Sequence, residues 1–349
     1  MYEKTYKFLT GSSYLTAKLT GKYVIDQFLA KGSFRPLYNR DGTINKENCS
    51  LYCRPDQIAE CAYSFEIAGT VTEEAAKESG LKKGTPVIVG TGDSTAEAIS
   101  VGLVESGTVF FQYGSSMFYY YCVDRYVDDY VSANGNGSLK GGKEFTIPGI
   151  FCIGDGTNAA GTLTRWVRDT FYEEELKKER AGGENAYAVM AREAAEVEAG
   201  SEGLIILPYI YGERSPIQDA KASGMLFGLK GTHTRKQINR AALEAVGYST
   251  LQHMILFDEM NLPPKSVITA GGGTKNAAWM QIICDMIGRQ ICIPKRYQCS
   301  AYGDAAMAAL GDRRFRDFTE LRDSLPKGKI LVPNEKNLSL IHISEPTRH

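Results

Sequence analysis

The sequence predicts an α/β protein of two domains. Val87-Ile88-Val89-Gly90-Thr91-Gly92-Asp93 and Val267-Ile268-Thr269-Ala270-Gly271-Gly272-Gly273 are short β-branched runs that end in glycine turns and lead into helix-like stretches, the alternation expected of strands and helices. Thr108–Tyr113 and Met117–Val123 are apolar runs joined by Gly114-Ser115-Ser116, which predicts a hairpin. A chain of 349 residues has room for two cores.

Composition narrows the function classes. Hydrophobic content of 43% and charged content of 23% are ordinary for a globular protein. A net charge of −1 gives no reason to expect nucleic acid or an anionic membrane as partner. No apolar run approaches the roughly 20 residues that span a bilayer. The start, Met1-Tyr2-Glu3-Lys4-Thr5-Tyr6-Lys7, lacks the apolar core of a signal peptide. The eight cysteines show no paired spacing, and Cys49, Cys53 and Cys61 lack the histidine or second pair that zinc needs. Free thiols in a reducing cytoplasm are the better account. His233 and His253 stand alone and His342 and His349 lie at the end, so no histidine constellation forms.

Taken in order, residues 2–20 read as a helix stopped by Gly21, with Phe8, Leu9, Leu15 and Leu19 as its apolar positions. Lys31 to Cys61 is polar and irregular, with a turn at Asp41-Gly42. Thr72 caps a helix that has Glu73 and Glu74 in its first turn and Gly80 at its close. Strand Val87–Val89 delivers Asp93, Ser94–Val101 is the next helix, and Gly102 to Gly107 is a short crossing between domains. After the hairpin, Phe151–Ile153 leads into Gly154-Asp155-Gly156-Thr157 and a helix containing Gly161 and Trp166. Glu173–Arg180 is a charge run on a solvated helix face, and Leu204–Leu207 a buried strand. Thr234-Arg235-Lys236-Gln237 is a capping box that opens a long helix. Ala301 to Leu310 is a helix of small residues expected to pack on its own domain's sheet.

Two turns carry the chemistry. Ligands of open α/β sheets sit where strands end in such turns. Glycine lets the backbone approach an anion, and hydroxyl residues add donors. Asp93 as base and Gly114, Ser115 and Ser116 on phosphates together suggest phosphoryl transfer. Gly90-Thr91-Gly92 also reads as a plain strand-to-helix turn. A dinucleotide site is disfavoured because Thr95 stands at the sixth position, and no Gly-x4-Gly-Lys-Ser/Thr loop exists. Asn276 offers a donor and an acceptor beside the glycine run, and can equally cap the helix that follows.

Gly84-Thr85-Pro86-Val87 through Asp93, with the Gly-Ser-Ser turn, resembles the core of the FGGY carbohydrate kinases. Gly224-Met225-Leu226-Phe227-Gly228-Leu229, followed after seven residues by Gln237 to Glu244, fits that family's C-terminal signature, and Pro208 to Pro216 resembles the loop before it. The resemblance runs from about residue 9 to about 312. It implies two ribonuclease-H-like (actin-like ATPase) domains facing a cleft, and transfer of the γ-phosphate of ATP, with Mg²⁺, to a sugar hydroxyl. It carries over Asp93 as catalytic base, and Gly161, Arg165, Gly272 and Asn276 as nucleotide contacts; Gly161 reads equally as a helix-packing glycine. No residue is assigned to a metal.

Gly212-Glu213-Arg214-Ser215-Pro216 is closer to xylulokinase-like members, which implies a ketopentose such as xylulose as substrate. A cytoplasmic enzyme without nucleic-acid or membrane partners is implied, and a homodimer is compatible with it. On this reading residues 1–106 are the later part of the first domain, 107–332 the second, and 333–349 a tail foreign to the family. Ser339 to His349 reads like a translated cloning or adapter segment. The first phosphate turn, of Asp-x-Gly-Thr type, and most sugar contacts are then expected to be missing, and this chain to be inactive. The contrasting expectation is a nucleotide-binding fragment without turnover.

Overall fold

The computed structural model describes residues 4–295 and 299–337; the reading of the segment from Ser339 onward lies outside the described residues. The first hundred residues form helices α1 (Gly11–Thr20), α2 (Gln27–Gly32), α3 (Lys46–Ser50), α4 (Glu73–Ser79) and α5 (Asp93–Ser100). Between them lie strands β1 (Val24–Asp26), β2 (Glu60–Ala62), β3 (Ile67–Thr70) and β4 (Pro86–Ile88). β1 pairs with β2 in parallel and β3 with β4 antiparallel, as two separate ribbons. A small core of Ile25, Ala30, Tyr38, Cys49, Ile58 and Ala59 holds this lobe.

Capping chemistry sets several boundaries. Thr10 accepts the Ser13 amide and Gly21 closes the turn in the left-handed conformation, so α1 starts at Gly11 rather than near residue 2. α4 behaves as its sequence predicts: Thr72 accepts the Ala75 amide and Gly80 is left-handed.

The second lobe continues with β5 (Thr108–Tyr113), β6 (Met117–Val123), β7 (Tyr130–Val131), β8 (Ser138–Leu139), β9 (Lys143–Glu144) and β10 (Phe151–Thr157). Helices α6 (Gly161–Phe171), α7 (Glu173–Arg180) and α8 (Ala186–Ala195) follow, then the ribbon of β11 (Ile205–Leu207) and β12 (Met225–Phe227). The remainder is α9 (Arg235–Glu259), β13 (Ser266–Ala270), α10 (Ala277–Ile287), β14 (Ile291–Ile293), α11 (Ser300–Gly311), α12 (Phe318–Ser324) and β15 (Lys329–Leu331). Seven strands join in one sheet, ordered β15-β14-β13-β5-β6-β10-β9, with β13 parallel to both β5 and β14.

Alternation along β5 and β6 divides the interior. Val109, Phe111, Tyr113, Tyr119 and Tyr121 face a core shared with α6, α8, α9 and α10. Phe110 and Cys122 face the other core, with Ala96 and Ile99 of α5, Met307 and Leu310 of α11, and Leu321 of α12. α11 therefore does more than cover its own sheet. Gly303 brings it onto the backbone carbonyl of Ala96, where any side chain would collide.

Gly154 to Thr157 continues β10, paired to Tyr120 through Met117. Its glycines serve close packing: a side chain on Gly154 would enter the Tyr120 ring, and one on Gly156 the Met117 carbonyl. Leu204 and Ile206 are buried as expected, but Ile205 of β11 and Met225 to Phe227 of β12 are open to solvent. Asn334 and Asn337 bond the Asp285 carboxylate, so the chain stays docked on α10 past residue 332.

The capping box at Thr234 and Gln237 opens α9 as its spacing predicts. His253 in that helix is fully buried and satisfied: Nδ1 pairs with the Ser249 carbonyl at 2.7 Å and Nε2 with the Ser215 hydroxyl at 3.0 Å. Burial pushes its pKa down to about 4.

Candidate active site

The hairpin turn between β5 and β6 is fixed by the start of α6. The Gly161 amide donates to the Gly114 carbonyl (2.9 Å), and the Ala160 and Thr162 amides donate to Ser115 (3.1 and 2.9 Å). A Cβ on Gly161 would stand 2.5 Å from the Gly114 carbonyl oxygen, so only glycine permits this docking. Within the turn, the Gly114 amide closes on the Ser116 carbonyl at 2.9 Å. It is therefore not available to an anion. The Ser115 and Ser116 amides donate to no acceptor among the described residues. Of the three amides that the sequence reading gives to phosphate, those of Ser115 and Ser116 are left to a ligand.

A second glycine turn faces the first. Gly271 has φ +96 and would put a Cβ 2.5 Å from the Tyr113 carbonyl, while Gly273 would meet Tyr113 at 2.8 Å and Trp279 at 2.9 Å. Both are needed for packing. Gly272, between them, has nothing within 4 Å of its Cβ position. Asn276 caps α10, its Oδ1 accepting the Trp279 amide at 3.0 Å. The cap uses the acceptor and leaves the Nδ2 donor.

These turns, α6, α8 and α10 enclose a cavity of about 530 Å³, a volume suited to a small-molecule ligand. Gly114, Ser115, Gly161, Arg165, Gly272 and Asn276, from three separate stretches of sequence, line it together. Gly161 is thus both a packing glycine and a wall of the cavity. Ser116 and Asp93 are not among the lining residues. Asn185, Tyr187, Asn239, Lys275 and Trp279 also line it and were missed by motif reasoning. The one available signal was Asn185 after Gly182-Gly183, which marks a helix start: its Oδ1 accepts the Ala188 amide. Arg165 and Lys275 are exposed and form no ion pair among the described residues. Two free cations at one cavity suit a polyphosphate.

Asp93 opens α5, exposed, with its carboxylate accepting the Ser94 amide at 2.8 Å. The Ser94 hydroxyl meets the Tyr120 hydroxyl at 2.8 Å. One helical turn on, Glu97 is nearly buried, and burial raises its pKa, with Gln112 bonded to it and Asp93 nearby. The Gln112 amide lies 3.0–3.2 Å from where a side chain on Gly114 would begin. Glu97 and Gln112 thus lie between Asp93 and the Gly-Ser-Ser turn. Burial likewise raises Asp304 of α11, and Asp93 adds to that shift. Among the described residues no three His, Cys, Asp or Glu side chains converge to hold a metal.

The loop before β12 is tied to the end of β10. Glu213 accepts the Asn158 and Arg214 amides at 2.7 and 2.8 Å, and Arg214 donates to Asn158 Oδ1 and the Thr157 carbonyl. The two side chains order the loop and do not pair with each other. No helix among the described residues is long and apolar enough to cross a membrane.

Comparison with known proteins gives a consistent result. Residues 1–100 match the FGGY family of carbohydrate kinases, N-terminal domain, and residues 114–311 its C-terminal domain. A gluconokinase of Bacillus subtilis (strain 168) is 26% identical, over 96% of this chain and 67% of its own length. A xylulose kinase of Escherichia coli (strain K12) is also 26% identical, over 94% and 64%. The crystal structure of xylulose kinase from Rhodospirillum rubrum superposes with a TM-score of 0.82 at 26% identity, covering 97% of this chain and 65% of that one. A gluconate kinase from Lactobacillus acidophilus, at 22% identity and a TM-score of 0.83, shares the fold. The chain spans about two thirds of the length of these relatives.

Proposed function

The chain belongs to the FGGY family of carbohydrate kinases, and from that premise we propose that it serves transfer of the γ-phosphate of ATP to a sugar hydroxyl. The observation that supports this most is the convergence of Gly114, Ser115, Gly161, Arg165, Gly272 and Asn276 on one cavity. The adenosine would lie over Gly272, with the Asn276 amide as donor. The phosphates would run toward Arg165, Lys275 and the free amides of Ser115 and Ser116, which stabilise charge as it develops.

Asp93 is the proposed proton acceptor from, or orienter of, the attacking hydroxyl, a role worth roughly 10²–10⁴-fold in rate. Closure of the lobes would keep water from competing with the sugar. Mg²⁺ bound through phosphates and water needs only one or two carboxylates, which fits a site with Asp93 available and no converged triad. When bound, it would neutralise phosphate charge. A cytoplasmic location suits a reaction that consumes ATP.

The acceptor we favour is a ketopentose such as xylulose. The 212–216 loop and the likeness to a xylulose kinase structure support it, and gluconate is its competitor because a gluconokinase is equally similar. A coupled ATP-consumption screen against ketopentoses, aldoses, polyols and gluconate, beside calorimetry with ADP, tests the proposal. ADP binding with sugar-dependent turnover supports it. ADP binding without turnover favours a nucleotide-binding chain that is not catalytic, and absence of ADP binding removes the cavity from the role given to it.

A further inference from the structure

A second cavity, of about 740 Å³, lies where residues 31–40 of the first lobe meet residues 126–155 of the second, and shares no lining residue with the first. We propose that it binds a small polyanion bearing phosphate or carboxylate groups, held by Arg35, Arg40 and Lys143 across the two lobes.

The charges around it do not cancel. Lys31, Arg35, Arg40, Lys140 and Lys143 face it, against Asp129, Glu144 and Asp155. Each carboxylate is already engaged. Glu144 pairs with Lys31 and accepts the Tyr63 hydroxyl. Asp129 stands 3.8 Å from Lys140 and accepts the Gly141 amide. Asp155 accepts its neighbour Gly156 amide and the Gln218 side chain. Arg35, Arg40 and Lys143 have no carboxylate within ion-pair distance among the described residues.

Aromatic rings hold these cations in place without neutralising them. Arg35 donates to the Tyr126 hydroxyl at 2.7 Å, and the Arg40 guanidinium sits 4.2 Å from the centre of the same ring. The Lys143 ammonium lies 4.2 Å from the centre of Phe28. Two arginines on one tyrosine present forked donors to the same space, the arrangement that suits phosphate or carboxylate oxygens. Lys143 is half-buried, and burial lowers its pKa, a cost that a bound anion would offset. The volume is that of a metabolite site. Because its cations come from both lobes, an occupant would bridge them.

The test is calorimetric titration of the chain with inorganic pyrophosphate and, separately, citrate, on wild type and on the variants Arg40→Gln, Lys143→Gln and Arg165→Gln. Arg40 is exposed, so its replacement leaves folding undisturbed. The expected result is binding of at least one probe that weakens tenfold or more in Arg40→Gln and Lys143→Gln and persists in Arg165→Gln. Which probe binds distinguishes phosphate from carboxylate ligands. Absence of binding, or binding lost in Arg165→Gln and retained in the other two, overturns the proposal. Neither result depends on whether the chain phosphorylates a sugar.

Discussion

The cavity between the two glycine turns and the carboxylate of Asp93 differ in how far they are enclosed. The cavity wall is backed by Trp279, Leu243 and Asn239, each 3% exposed or less, and its two glycine turns interlock with neighbouring backbone. Asp93 stands in solvent at the start of an eight-residue helix. Around it the first lobe offers two-stranded ribbons and a small core, with Tyr14 and Leu15 of α1 56% and 63% exposed. On the proposed function, the difference makes binding of nucleotide and chemistry on the acceptor separable. One rests on a preformed frame and the other on a single exposed carboxylate.

The largest effect should come from Asp93→Asn in an enzyme with measurable turnover. We expect kcat to fall roughly 10²-fold or more with ADP affinity unchanged. Near-normal steady-state turnover would take the acid out of the mechanism and dissolve the contrast. Gly161→Ala should act on the frame instead. Its new methyl meets the Gly114 carbonyl, so thermal unfolding should show a loss of about 1–3 kcal/mol, and ADP should bind more weakly.

Gly272→Val sharpens the comparison further, because its side chain enters empty space. The variant should fold with an unchanged melting temperature while ADP affinity falls about tenfold, roughly 1.4 kcal/mol. Unchanged ADP affinity by calorimetry would leave that glycine a turn residue only.

The smallest net effect is on the pH dependence of the wild-type chain, because two opposed shifts largely cancel. Burial raises Asp26 to about 6 and lowers His253 to about 4. Between about pH 6.5 and 4 the unfolded chain protonates His253 and the native state does not, so acid costs stability there. Over about pH 6 to 3.8 the native state protonates Asp26 before the unfolded chain does, so acid restores stability. Each shift corresponds to about 3 kcal/mol, with opposite sign. Asp26→Asn removes the restoring contribution. Its urea-unfolding free energy should therefore fall more steeply than wild type between pH 6 and 4, and parallel curves would refute the assignment.

Much of the cavity was legible because its parts are local signals. Gly114-Ser115-Ser116 sits between two apolar runs, and Gly271 to Asn276 follows a β-branched strand. What the letters do not show is which glycine serves what. Gly271 and Gly273 are required by Tyr113, from a strand more than 150 residues earlier, and only Gly272 faces open space. Tyr187 and Lys275 carry no motif, and Asn185 only that of a helix cap; they reach the site because α8 and α10 dock side by side. The burial of Glu97 was equally hidden, since it depends on α5 lying against the sheet.

The docking of α11 on α5 has a mechanical consequence. At Gly303 the two helices touch backbone to backbone, a bearing with no side chain to slide or reseat. α5 also shares its core with Phe110 and Cys122 of the sheet. Although Asp93 belongs to the first hundred residues, its frame of reference is the sheet that carries the Gly-Ser-Ser turn. If the lobes swing, the acid should travel with that turn as one gauge block of fixed length, while Arg35 and Arg40 swing with the other part. A stretch of chain and a moving part of the machine are then not the same unit.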